Sequence, residues 1–128
     1  MCIRDSSKAV AAFLPELLLT SDMEGRLRAY TEFTLTNVND LDSEFETIRK
    51  RGFAECVEEI ERGLCSVAAP LAPSGPGAAT SIGAAGSVRV FTPAFRDKLG
   101  TRIARIAQDV SANLGWDVTA DAKLSGLF

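Results

Sequence analysis

Two stretches of the chain repeat apolar residues at the three- and four-residue spacing of an amphipathic helix. The first begins after Asn37, a good N-cap, and ends at Gly52, which suits the C′ position. The second begins at Thr92 and Pro93 and ends at Gly115. The apolar face of the first helix comprises Val38, Leu41, Phe45 and Ile48. That of the second comprises Phe95, Leu99, Ile103, Ile106, Val110 and Leu114.

The remaining elements are shorter. Ser7 is expected to cap a first helix, and Pro15 to open another short one. The Thr- and aromatic-rich stretch 30–35 predicts an extended segment. Residues 64–69 and 79–85 are predicted strands of a hairpin with a Pro/Gly-rich loop, and 55–63 is interpreted as a polar link. The result is an α+β arrangement of helices flanking antiparallel strands. Since two strands rarely form a stable sheet, we expect further strands to be missing from this chain.

Composition narrows the class of protein. The chain has 128 residues, room for one domain, with 46% hydrophobic and 24% charged residues, as in a globular protein. A net charge of −3 argues against nucleic-acid binding by this chain. No apolar run approaches the roughly 20 residues of a membrane span, and no signal core is visible, which favours the cytoplasm.

Catalytic chemistry has little support. There is no histidine, which excludes Ser-His-Asp and Cys-His catalysis and histidine metal sites. The odd number of cysteines (Cys2, Cys56 and Cys65), without CxxC spacing, suits free, buried thiols. The adjacent Glu58 and Glu59 are interpreted as a solvated or hydrogen-bonded loop in preference to an acid–base pair. We expect no enzyme activity and no cofactor.

Three motifs resemble one family. They are SKAVAAFLP (7–15), FETIRKRGFAECVEEIERGLCSVAAPL (45–71) and SIGAAGSVRVFTPAF (81–95). In order and spacing they resemble the effector-binding domain of IclR-type bacterial transcription regulators. The resemblance implies a GAF-like antiparallel sheet flanked by helices, over residues 7–115, with its first strands missing. Residues 1–6 (MCIRDS) are interpreted as a translated adapter sequence, and 116–128 as a C-terminal tail.

The resemblance also implies an effector pocket. Its positions here are Asp5 and Ser6 in the turn before the first helix and Ser7 at the helix start, together with Cys56, Ser66, Gly83 and Ala85. The family's acid is replaced at position 56, its cysteine at 66, and its serines at 83 and 85. Ser7 could instead be a plain helix cap, and Ser66 could satisfy a local backbone group.

The function implied is the sensing of a small organic acid. We expect a larger, partly aromatic acid, with its carboxylate at the first helix start and its ring against Gly83 and Ala85. Domains of this family help to assemble dimers and tetramers, and DNA would be bound only through a winged helix-turn-helix that this chain lacks. No membrane partner is expected. The alternative is a dimerisation module whose pocket no longer binds a ligand.

Overall fold

The computed structural model describes residues 5–13, 27–72 and 80–116. In these ranges three helices flank one sheet of three strands. The helices are α1 (Asp5–Ala11), α2 (Val38–Arg51) and α3 (Pro93–Asn113). The strands are β1 (Ala54–Val57), β2 (Leu64–Pro70) and β3 (Ser81–Ser87). The predicted α+β class is confirmed.

The strands are antiparallel in the order β1-β2-β3, so that β2 lies in the centre. Because successive side chains of a strand point to opposite faces, β2 contributes side chains to two hydrophobic cores, one on each face of the sheet. Ala68 faces α1 and α2, which contribute Ala9, Ala11, Leu41, Phe45 and Ile48 to the first core. Val67 faces α3 and packs in the second core, which also contains Phe53, Cys65, Ala69, Phe91, Ile103 and Ala107.

The predicted caps of the two long helices are confirmed. The side chain of Asn37 accepts a hydrogen bond from the backbone N–H of Asn39, 2.8 Å away, at the start of α2. Gly52 ends α2 with φ 85°, a left-handed conformation that suits glycine. Thr92 caps α3, which begins at Pro93 as predicted.

The buried face of α3 differs from the predicted stripe. Ile103 is buried as expected, but Phe95, Ile106 and Leu114 are 41%, 46% and 55% exposed. The helix instead buries Gly100, Ile103, Ala107 and Ser111. The reason is the close approach of α3 to the sheet, since a Cβ at position 100 would lie 2.3 Å from the ring of Phe53.

Two further predictions are wrong. Part of the polar link forms β1, in which Ala54 and Cys56 are buried and pair with Ala68 and Ser66 of β2. The stretch 30–35 is a turn, because the Thr34 hydroxyl accepts hydrogen bonds from two successive backbone N–H groups, each 3.0 Å away. The helix predicted at Pro15 lies outside the described residues.

Helix α1 begins earlier than predicted and carries a buried cation. Ser7 does not cap it, because the helix already includes Asp5. Lys8 is 1% exposed, and its Nζ lies 2.7 Å from both Glu59 Oε1 and the Glu55 carbonyl oxygen. The Glu44 carboxylate is 3.8 Å away. Lys8 therefore fixes α1 to β1 and to the loop that follows it. Of the two states expected for Glu58 and Glu59, the structure shows the hydrogen-bonded loop, because Glu59 accepts from Lys8 and Glu58 accepts from the backbone N–H of Gly63.

Candidate functional site

A pocket of about 450 Å³ lies where the first turn of α1 meets the sheet. Helix α1, the β1–β2 loop and all three strands contribute to its wall. The lining residues are Asp5, Ser6, Cys56, Ile60, Glu61, Leu64, Ser66, Gly83, Ala84 and Ala85. Its volume is in the range of small-molecule sites.

The floor of the pocket is one row of residues across the sheet. Cys56 pairs with Ser66, and Ser66 pairs with Ala85. Directly paired residues share a face, with their Cβ atoms roughly 4.5–5.5 Å apart, so these three side chains form a continuous surface. The strand register therefore brings together residues that are far apart in the sequence.

Ser66 provides the buried polar group of this floor. It is 9% exposed, and within the described ranges its hydroxyl has no hydrogen-bond partner. The alternative interpretation, in which the Ser66 hydroxyl bonds to a local backbone group, therefore has no support in the described residues. Because no buried side-chain nitrogen or oxygen of the described residues lacks a partner, the Ser66 hydroxyl is open to the pocket, where water or a bound molecule can satisfy it.

The small residues Gly83 and Ala85 of β3 have different structural roles. A Cβ at position 83 would lie 2.7 Å from the Val67 carbonyl oxygen and 2.9 Å from the Ala68 Cβ. Glycine is therefore required there by the close packing of β3 against β2, whatever the ligand. Ala85 is exposed on the pocket side and leaves room for a larger side chain.

Cys56 is a neutral group in this pocket. Burial raises the pKa of its thiol to about 11, and the nearby carboxylates of Glu59 and Asp5 act in the same direction, while Lys8 opposes them. The thiol therefore stays protonated near pH 7 and is a weak hydrogen-bond donor instead of a nucleophile. In the described part of the chain, no three His, Cys, Asp or Glu residues are grouped to hold a metal.

The structure places six of the seven sequence-derived positions around this pocket: Asp5, Ser6, Cys56, Ser66, Gly83 and Ala85. Ser7 is exposed on α1 and does not line it. Ile60, Glu61 and Leu64 also line the pocket but are not among the positions predicted from the sequence. Leu64 lies two residues before Ser66 on β2, so the alternation of a strand could have placed it on the same face.

The three helices and the three-stranded sheet form an α+β domain with a pocket at the start of α1. Over residues 5–112 the sequence matches the family described as "Bacterial transcriptional regulator IclR C-terminal". The chain therefore belongs to this family. No curated protein matches the sequence. The family and its structural neighbours are transcription regulators, which confirms that the chain is not an enzyme.

Solved structures share the fold. The Agobacterium tumefaciens repressor BlcR has a TM-score of 0.78 at 19% identity, over 90% of this chain and 46% of that one. The Thermotoga maritima IclR has a TM-score of 0.73 at 28% identity, over 88% and 46%. The C-terminal domain of the E. coli regulator KdgR has a TM-score of 0.72 at 22% identity, over 88% and 70%. The chain thus spans less than half the length of the first two proteins. No described helix is long and apolar enough to cross a membrane.

Proposed function

We propose that this chain binds a small organic effector in the pocket between α1 and the sheet, and thereby controls a DNA-binding transcription regulator. The observation that carries the proposal is Ser66, a residue 9% exposed on the floor of a pocket of about 450 Å³, whose hydroxyl has no hydrogen-bond partner among the described residues. Family membership supports a regulatory role. DNA would be bound by a winged helix-turn-helix outside this chain, in the cytoplasm.

Helix α1 is the element through which an effector would act. Asp5 and Ser6 of its first turn line the pocket, and Lys8, one turn further, is fixed to Glu59 and to the Glu55 carbonyl. A molecule that fills the pocket would shift the balance between positions of α1 over the sheet. Such a shift could change how copies of the domain assemble as dimers or tetramers. Binding of the effector would then be coupled to binding of the operator DNA by the regulator.

The alternative is a dimerisation module whose pocket no longer binds a ligand. It is favoured by the partly exposed apolar side chains of Phe95, Ile106 and Leu114 on or just after α3, which could contact another copy. It is also favoured by the replacement of the family's polar residues at Cys56 and Ala85.

A thermal-shift screen of small organic molecules separates the two functions. For an effector pocket, at least one compound should raise the melting temperature of the chain, because a ligand of the native state stabilises it. The Ala85→Leu variant, which fills the pocket from its exposed side, should lose that shift. Phe95→Leu, outside the pocket, is the matched control and should keep it. A screen without hits, or hits that Ala85→Leu leaves unchanged, would favour the dimerisation module.

A further inference from the structure

One wall of the pocket is the loop between β1 and β2, residues 58–63. Ile60 and Glu61 of this loop line the pocket. The loop begins and ends in left-handed conformations, because Glu58 has φ 55° and Gly63 has φ 82°. Glycine adopts this conformation readily, but in a glutamate it is strained and persists only where surrounding contacts hold it. The shape of this wall therefore depends on the groups to which the loop is bonded.

Two threonines of the turn before α2 hold the start of this loop. The Thr31 hydroxyl donates a hydrogen bond to the Glu58 carbonyl oxygen at 2.6 Å. The Thr34 hydroxyl donates to the next carbonyl oxygen, that of Glu59. Two successive backbone acceptors of the loop, one of them on the strained residue, are thus bonded to side chains from a distant part of the sequence.

The turn fixes the direction in which both hydroxyls donate. Thr34 Oγ1 accepts from the backbone N–H groups of Tyr30 and Thr31, each 3.0 Å away, and Thr31 Oγ1 accepts from that of Phe33 at 3.1 Å. The two hydroxyl oxygens are 3.5 Å apart, too far to compete with the contact of 2.6 Å to the loop. Since a hydroxyl has a single proton, each threonine donates its proton to the loop.

The turn is a firm support for these bonds. Leu27 and Leu35, on either side of it, pack against the first core. On the other side of the loop, Lys8 of α1 holds the Glu59 carboxylate at 2.7 Å. The start of the loop is therefore bonded both to α1, which forms part of the pocket, and to the turn, which does not.

We infer that Thr31 and Thr34 are positioning residues of the pocket. Their hydroxyls hold residues 58–63 closed beside its floor, and they thereby set how readily a molecule enters and leaves. The inference rests on the proposed effector function and deepens it. Neither threonine lines the pocket, so both act through the loop carbonyls. Without the two hydroxyls these carbonyls turn to water, the strained Glu58 relaxes, and the wall that carries Ile60 opens.

The thiol of Cys56 reports this opening without any effector. Cys56 lies on the pocket floor and is only 4% exposed. Its alkylation by iodoacetamide, a small uncharged reagent, is followed by mass spectrometry of the full Cys2→Ser, Cys65→Ala chain at one mildly alkaline pH. The Thr31→Val, Thr34→Val variant keeps the shape of both side chains and removes both hydroxyls. We expect it to react about tenfold faster, a factor equivalent to about 1.4 kcal/mol of lost hydrogen bonding.

Matched variants separate this role from a general loss of stability. Thr31→Ser, Thr34→Ser restores both donors and should return the rate to within about threefold of the parent. Thr101→Val removes an exposed hydroxyl that donates to the Asp97 carbonyl oxygen of α3 at 2.9 Å, and it should leave the rate unchanged. In the valine double variant the rate should be insensitive to low concentrations of urea, because a local opening exposes little new surface.

Hydrogen exchange of the chain with all its cysteines provides a second measurement. The backbone N–H of Glu58 donates to the Leu64 carbonyl oxygen at 2.8 Å, and that of Gly63 donates to the Glu58 carboxylate at 2.9 Å. Both should exchange about tenfold faster in the valine double variant, while α3 keeps its rates. If the double variant does not fold, each single valine variant should show a rise of about threefold.

The possible outcomes test the inference apart from the proposed function. Unchanged alkylation and unchanged exchange in the valine variants would overturn the role of the threonines. So would equal acceleration in the serine variant, or a rate that rises with urea as global unfolding does. Because no effector takes part, these results would leave the proposed function in place, and the thermal-shift screen tests that function separately.

Discussion

Replacing Lys8 with methionine should destabilise the chain more than any other single change of a charged residue in α1 or α2. The substitution keeps an unbranched side chain of similar length and removes the charge. At 2.7 Å and an effective dielectric constant of 20, the attraction between Lys8 and Glu59 is on the order of 6 kcal/mol before desolvation is subtracted. Breaking a buried pair by removing one partner costs about 3–5 kcal/mol. Since domains are stable by roughly 5–15 kcal/mol, the loss is a large share of the total.

This loss can be measured by urea unfolding monitored by circular dichroism. The urea concentration at the midpoint should fall, while the dependence of the unfolding free energy on urea (the m-value) stays unchanged. Lys50→Met is the matched control, because Lys50 is exposed in the last turn of α2 and should cost less than about 1 kcal/mol. The Lys8→Met, Glu59→Gln double variant removes both charges and should recover at least half of the loss. This variant also keeps the test decisive if Lys8→Met alone does not fold.

The loss should also depend on pH. Burial raises the pKa of the Glu59 carboxyl above its ordinary value of 4.5, although Lys8 pulls it down. Without Lys8 this pKa rises further. A group whose pKa is raised in the folded state contributes stability at acidic pH and loses it as the pH rises through the folded pKa. The penalty of Lys8→Met should therefore grow from pH 4.5 to pH 8. A penalty under about 1 kcal/mol at pH 8, or one that shrinks with rising pH, would refute the reasoning.

Three further predictions follow from the structure. Gly100→Ala should lower the free energy of unfolding, measured in urea, by about 1–3 kcal/mol, because the new methyl group meets the Phe53 ring. This loss outweighs the gain of about 1 kcal/mol that alanine brings to a helix. A stabilised variant would contradict the packing of α3. Asn37→Ala should cost about 1 kcal/mol by the same method through loss of the α2 cap, and no change would place the helix start elsewhere. In a Cys2→Ser, Cys65→Ala background, Cys56 is the remaining thiol. It should react with an aromatic disulfide reagent only slowly at pH 7 and faster as the pH approaches 11, and rapid reaction at pH 7 would show an activated thiol.

The sequence predicted the elements whose signals are local. The caps at Asn37 and Thr92 and the end of α2 at Gly52 depend on neighbouring backbone groups, so they can be identified without knowledge of the tertiary fold. Strand β1 could not be identified in this way. Its four residues include the charged Glu55, and they form a strand because Ala54 and Cys56 pair with β2 across the sheet.

Other errors arose where tertiary contacts outweighed the local pattern. Residues 30–35 have strand-forming composition, but the Thr31 hydroxyl donates to the Glu58 carbonyl at 2.6 Å and Thr34 caps the turn. A hydrophobic stripe cannot indicate that Gly100 and Ser111 face the core, because neither is counted as apolar. Likewise, the burial of Lys8 depends on acidic residues far away in the sequence.

The residues of the candidate site were predicted from the motif resemblance. Their arrangement in space depends on the strand register, which the sequence does not show. Cys56, Ser66 and Ala85 form one row only because β1, β2 and β3 pair in this register. Glu61 was not predicted as a lining residue, because it lies in a loop that the motifs do not mark as part of the site. The role of Gly83 was also misjudged, since its missing side chain reflects the packing of two strands.

Mapping a bound ligand by nuclear magnetic resonance tests the central claim most directly. The measurement is the change in backbone and methyl signals of the labelled chain during titration with a compound from the thermal-shift screen. We expect the largest changes at Ser66 and Ala85 and in the first turn of α1. Val67 and Ala69, on the opposite face of β2, should change little. Changes concentrated on the α3 face of the sheet, or saturable binding that leaves Ser66 and Ala85 unaffected, would contradict it.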